Sequence, residues 1–142
     1  MAYYSRKIKM PFQEVLEKVT KNLESQGFDV ITSIDVQDTF KKTLDINFRN
    51  YKILAACNPQ FAYKAISMDS HLGVMLPCNV VIQEHENGEV EVSAINPLDA
   101  IDNSFSTTML VDLAREVGVK LRAVLDCIQR DLPKIPLDAL PA

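Results

Sequence analysis

Two stretches of this sequence place a thiol in a polar frame: Cys57-Asn58-Pro59, closing YKILAAC, and Pro77-Cys78-Asn79, within VMLPCNVVI. Asn58 reads as a helix N-cap with Pro59 at the first helical position. Cys57 therefore stands beside a helix start, where unpaired N–H groups and the positive end of the dipole favour a thiolate over a thiol. Cys57 is the candidate nucleophile and Cys78 the candidate resolving thiol of a redox or sulfur-transfer reaction. In that chemistry the Cys57 thiolate attacks a disulfide or sulfane sulfur, and Cys78 releases the product through a disulfide. Asn58 and Asn79 are the candidate ligand-binding residues beside them. The plainer reading is equally concrete: free cysteine packs as a small buried hydrophobe, and both frames are ordinary element boundaries.

A metal reading would gather Cys57, His71 and Cys78. Their separations, with thirteen and then six residues between, match no paired C-x2-C pattern, so no metal ligand is assigned. His85 is expected at a hairpin tip and Cys127 on the flank of a helix. No glycine-rich phosphate loop, C-x-x-C or G-x-S-x-G motif occurs, and no cofactor is expected.

The elements that must position these residues follow from periodicity. Tyr3 to Lys9 alternates as a strand. Beyond Pro11, the apolar residues Phe12, Val15, Leu16, Val19 and Leu23 recur at helical spacing, and Gly27 ends the helix. Phe28 to Ile34 reads as a strand, and Asp35 caps a short helix carrying Val36, Phe40 and Leu44. Tyr51 to Ala56 is a central strand, followed by the helix that Asn58 starts. Asn79–Glu84 and Glu89–Ile95 flank Asn87-Gly88, a strong hairpin signal. A two-residue turn there sets Glu84 directly opposite Glu91, a like-charge pair that needs solvent or a cation. Ser104 to Arg130 carries the longest apolar stripe, with Gly118 a weak point in the helix.

This order predicts an α+β fold, a mixed α/β sandwich with one mainly antiparallel sheet of about five strands and helices packed on one face. A single domain is expected over residues 1–131. The tail 132–142, with Pro133, Pro136 and Pro141 among Leu132, Ile135, Leu137 and Leu140, is expected to pack on its own domain or reach to a second subunit.

The formal charge of -4, with Arg6-Lys7 and Lys41-Lys42 as the longest basic groupings, argues against a nucleic-acid partner. No run of about 18 apolar residues is present and the first ten residues do not resemble a signal peptide, so no membrane partner and a cytoplasmic location are expected. Three cysteines, an odd count in a reducing compartment, point away from a disulfide framework.

The succession Gly27-Phe28, Ser33-Ile34-Asp35, Tyr51-Lys52-Ile53-Leu54, Cys57-Asn58-Pro59, Ala62, Leu76-Pro77-Cys78-Asn79-Val80 and Asn96-Pro97 resembles the domain of unknown function family 302, over about residues 3–128. The resemblance implies a small single-domain α/β fold, often dimeric, in prokaryotic cytoplasmic proteins, and supplies no activity. Two departures stand out: Gln83-Glu84-His85 replaces a more aromatic stretch, and the proline-rich tail is long. The function expected is a small cytoplasmic binding or accessory domain, homodimeric, with a polar pocket near the two cysteine motifs that takes a small-molecule or thiol ligand. The alternatives are the thiol-dependent redox or sulfur-transfer protein and a metal-binding protein.

Overall fold

The computed structural model describes residues 2–101 and 108–129. The elements run β1 (Tyr3–Ile8), α1 (Phe12–Ser25), β2 (Asp29–Asp35), α2 (Val36–Leu44), β3 (Tyr51–Cys57), α3 (Pro59–Met68), a 3-10 helix (Ser70–Met75), β4 (Cys78–Glu84), β5 (Val90–Ile95), α4 (Pro97–Ala100) and α5 (Thr108–Asp126). The strands form one sheet in the order β1-β5-β4-β3-β2, and each adjacent pair is antiparallel. The chain is thus the α+β fold that its periodicities predict. The beginning of the predicted last helix, its final Arg130 and the tail 132–142 lie outside the described residues.

Strand alternation sets which residues meet the helices. Val80, Ile82, Val90 and Val92 are fully buried on the helix side, and with them cluster Val15, Val19 and Leu23 of α1, Leu121 and Val124 of α5, and Ile128 just past α5. Side chains of this kind each contribute about 1.5–3 kcal/mol when removed from water, so this layer holds the helices to the sheet. One polar side chain enters it. Asn22 on α1 is only 3% exposed, and its Nδ2 donates to the Val124 carbonyl at 3.1 Å. That carbonyl sits in the last turn of α5, where intrahelical donors run out, so α1 supplies a remote cap for α5.

The local signals at helix ends hold. The Asp35 side chain accepts from the Asp38 N–H, and Asn58 accepts from the Phe61 N–H. Gly27 has φ of +84° after α1, and a Cβ there would stand 3.1 Å from the Asn58 amide nitrogen, so the end of α1 and the start of α3 are fitted to each other. Gly118 serves packing as well: a Cβ there would meet the Tyr4 hydroxyl at 3.0 Å, and that hydroxyl donates to Asn96 Oδ1 at 3.0 Å.

The hairpin differs from the expected one. His85 N–H bonds to the Glu89 carbonyl at 2.8 Å, leaving a three-residue loop in which Gly88, at φ of +85°, takes the left-handed position and Asn87 does not. Loops of this length close on a type I turn followed by one left-handed residue, a position that Gly88 fills. The register moves by one, so Glu84 faces Val90 and Gln83 faces Glu91. A one-residue slip sends side chains to opposite faces, and the predicted Glu84–Glu91 pair does not form. Glu84 instead accepts from Asn50 Nδ2 at 3.0 Å. Glu91 accepts from the Ser5 hydroxyl and lies 2.7 Å from His85 Nε2, and these partners hold its carboxyl below the usual range.

On the face away from α1 and α5, Arg49 lies over Phe48 and Tyr51, 4.4 and 5.6 Å from the ring centres, and Nε donates to Gln83 Oε1 at 3.2 Å. Among the described residues no helix is long and apolar enough to cross a membrane.

Candidate functional site

Cys57 is the last residue of β3 and Cys78 the first of β4, and these strands are neighbours. Cys78 pairs with Ala56, so Cys57 is one residue beyond its cross-strand partner. Both cysteines are free, Cys78 buried and Cys57 half-buried. The two similar frames met in the sequence therefore do converge on one end of the sheet.

What they border is a cavity of about 80 Å³ between that end of the sheet, α3, α4 and the first half of α5. Phe28, Phe61, Leu72, Met75, Ile101, Leu110 and Leu113 contribute to its wall with Cys57, Asn58 and Cys78. Among the described lining residues, Asn58 alone carries a side-chain oxygen. The expected polar pocket is thus an apolar one. Its position is a consequence of two matching helix starts. Asn58-Pro59 and Asn96-Pro97 each cap a helix with the asparagine and place proline at its beginning, and they follow β3 and β5 at the same end of the sheet, with β4 between them. The lining on α3 and α5 comes from the apolar stripes visible in the sequence, but nothing in those stripes marks where they fail to meet.

The electrostatics run against the expected thiolate. Burial, and secondarily the Asp29 carboxylate that faces Cys57 across β2 and β3, push the Cys57 thiol up. Burial and then the neighbouring Cys57 push Cys78 up to about 11. The helix start does not overcome desolvation, because Asn58 already occupies one of its N–H groups. At pH 7 the native Cys78 thiolate is scarcer than that of a free cysteine by roughly two to three orders of magnitude. Alkylation of the folded protein at neutral pH, mapped by mass spectrometry, is expected to label Cys57 well ahead of Cys78. Cys78 labelling should catch up on unfolding or as the pH nears 11. Equal labelling of both in the native protein at pH 7 contradicts this order.

The other candidates lie elsewhere. Asn79 is exposed on β4 opposite Ala55 and does not line the cavity, since alternation turns it away from Cys78. Asn58 does line it, while its Nδ2 is 3.5 Å from the Gln26 carbonyl. His71 is exposed and its Nδ1 lies 2.9 Å from Asp69 Oδ1, away from any cysteine partnership. Among the described residues no group of three His, Cys, Asp or Glu side chains is placed to hold a metal, so the Cys57–His71–Cys78 set is not assembled. Cys127 is half-buried just past α5.

A search of curated proteins finds no match. A search of solved structures finds the crystal structure of an uncharacterized conserved protein DUF302 from Bacillus stearothermophilus, with 25% identity and a TM-score of 0.80, covering 89% of this chain and 97% of that one. The family model described as domain of unknown function DUF302 matches residues 4–128, a span that holds every strand but the first residue of β1, the five helices and the cavity wall. By that match, the chain belongs to the DUF302 family.

Proposed function

We propose that this chain is a small binding or accessory domain whose ligand is a compact apolar molecule held in the cavity beside Cys57 and Cys78. The cavity itself is the observation that carries this reading. Its lining is almost entirely apolar, so burying an apolar occupant there is favourable at ~25 cal/mol per Å² of apolar surface removed from water. The wall is hydrocarbon and sulfur with one amide, a composition that rewards shape and polarizability over charge. A homodimer in the cytoplasm belongs to the same proposal, supported by the family resemblance, and sedimentation of the full chain tests the dimer.

Xenon is the direct probe, since dry apolar cavities take it up. Methyl resonances of Ala65, Leu113 and Val117 are expected to shift saturably under xenon pressure. Ala114→Leu, which fills the void from α5, should abolish the shifts and leave stability within about 1 kcal/mol of the parent, whereas adding methylenes to a filled core costs about 1–3 kcal/mol. Absence of saturable shifts in the parent protein, or their persistence in Ala114→Leu, overturns the reading.

A second reading is favoured by the shared wall: Cys57 as nucleophile and Cys78 as resolving thiol on adjacent strands. The raised thiols make this a slow reaction at neutral pH, so it needs a ligand that brings its own reactive sulfur into the cavity. Oxidation with a disulfide reagent should then give one Cys57–Cys78 bridge without loss of fold. Mixed disulfides alone, with no intramolecular bridge, remove it.

A further inference from the structure

We infer that the exposed flank of α5 is the docking groove for this chain's own residues 130–142, the proline-spaced tail RDLPKIPLDALPA. This docking holds whether or not the cavity takes a ligand. The family match ends at residue 128, so the tail lies beyond the part shared with the family, and it is outside the described residues. What the described residues show is a surface whose apolar content the domain itself does not use. Tyr63 is 77% exposed, Met109 68% and Val119 64%, and with Met68 they border two shallow depressions, one between the end of α1 and α5 and one between α3 and α5. The two share Asp112 and Glu116, so they form one track along α5. Large apolar side chains scattered singly need no partner, but four on one continuous track mark a contact surface.

Length and direction suit the tail. The track starts beside Ala123, about one turn before α5 ends at Asp126, and reaches Met109 at its other end. At 1.5 Å per residue, Cys127 to Met109 spans ~27 Å along the helix axis. The thirteen residues 130–142, held extended at ~3.1 Å each, cover ~40 Å, which leaves enough chain for the reversal after Gln129. Pro133, Pro136 and Pro141 favour that extended form, because each fixes its own φ and drives the residue before it out of the helical region. They also reduce the freedom lost on docking. The open face of the sheet, where Ile53 pairs with Val81, is on the other side of the sheet from α5.

Charge selects the alignment. Read from Ala123 toward Met109, the track presents Lys120, then Glu116, then Lys64 on α3, and the tail presents Asp131, Lys134 and Asp138 in turn. A tail running back along α5 therefore meets an opposite charge at each position. Asp112 and Arg115, also on the track, pair with each other at 3.6 Å. Asp131 and Lys134 stand ~9 Å apart in an extended chain and Lys120 and Glu116 ~6 Å apart on the helix, a difference that the long lysine side chains absorb. Exposed pairs of this kind are individually weak, so they choose the alignment while apolar contact supplies the adhesion. In that alignment Ile135 lies on Val119, and Leu137 and Leu140 lie on Met109, Met68 and Tyr63. The tether gives the tail an effective concentration of about millimolar, so a contact too weak to hold a free peptide, or the tail of another copy, suffices.

The test is a set of methyl–methyl nuclear Overhauser contacts measured in the full chain. Contacts from Leu137 and Leu140 to the Met68 and Met109 methyl groups are expected, with a strength per molecule that does not change on dilution. The double variant Leu137→Asp/Leu140→Asp should abolish them, while the Met10 methyl, which packs on the core, keeps its resonance position and reports the fold. Lys134→Glu should lower the docked-to-free ratio by about two- to fivefold, and Glu116→Lys in the same chain should restore it. Absence of the contacts in the parent overturns the inference, as does their survival in the double variant, or a charge-reversed pair that docks no better than Lys134→Glu alone. Tail contacts to Ile53 and Val81 instead overturn it too. So do contacts found only between chains in a mixture of labelled and unlabelled protein, since the tail then occupies a second copy.

Discussion

Phe28→Ala is expected to lower the free energy of unfolding by about 3–5 kcal/mol. Phe28 is 1% exposed and is the largest of the fully buried side chains. It touches the central core and also forms part of the cavity wall. Truncation leaves a void that opens into an existing one, so neighbouring side chains cannot close it without giving up contacts elsewhere. The cost should therefore fall in the upper half of that range, as read by denaturant unfolding with an unchanged slope. Xenon, or a larger apolar probe such as benzene, should bind the variant more tightly than the parent. A loss below about 1 kcal/mol would mean that the region around Phe28 is less well packed than its burial implies.

Asn22→Asp is the second large effect, and its pH dependence carries the argument. The substitution replaces the amide that donates to the Val124 carbonyl with a carboxylate of the same shape, buried against the negative end of α5. Loss of a buried partner together with an uncompensated charge costs about 3–5 kcal/mol. The protonated carboxyl can still donate to the carbonyl, so folding favours the protonated form and the folded pKa lies above the unfolded value. Stability is then retained below the unfolded pKa and is lost as the pH rises through the interval between the two, the opposite of a salt-bridged carboxylate. Unfolding curves of the variant at pH 3.5 and pH 7, set against those of the parent, should show most of the deficit at pH 7 only. A deficit equal at both would remove the capping role assigned to Asn22. Asn22→Ala separates the two contributions, at about 1–3 kcal/mol with no comparable pH dependence.

The parts of this fold that are legible in the sequence are those whose cause is local. Asp35 and Asn58 cap the helices they were expected to cap, since a side-chain acceptor and an N–H three residues on suffice. The apolar stripes of α1 and α5 are buried as their spacing implies. Register was harder, because Asn87-Gly88 suits a two- and a three-residue loop, and the choice is made by the whole β4–β5 ladder rather than by the turn. Asn79 stands apart from the cavity for a related reason: adjacency to Cys78 in a strand means the opposite face. The convergence of Cys57 and Cys78 was conceivable from the sequence, but which strands are neighbours is a property of the sheet. Least legible are the apolar lining of the cavity and the direction in which burial moves the thiols, since both depend on residues from seven elements arriving at one place.

Gly118 looks like a defect when α5 is read alone, because glycine in a helix interior costs about 1 kcal/mol relative to alanine. Its missing side chain is the seat of the Tyr4 hydroxyl, which reaches past the helix to Asn96. Val117, which precedes Gly118, and Pro97, which follows Asn96, are both cavity wall. A tyrosine that does not line the cavity therefore packs directly behind its wall, and a library built only from lining residues would leave it out. Tyr4 thus stands between α5 and the start of α4 as a spacer stands between two plates.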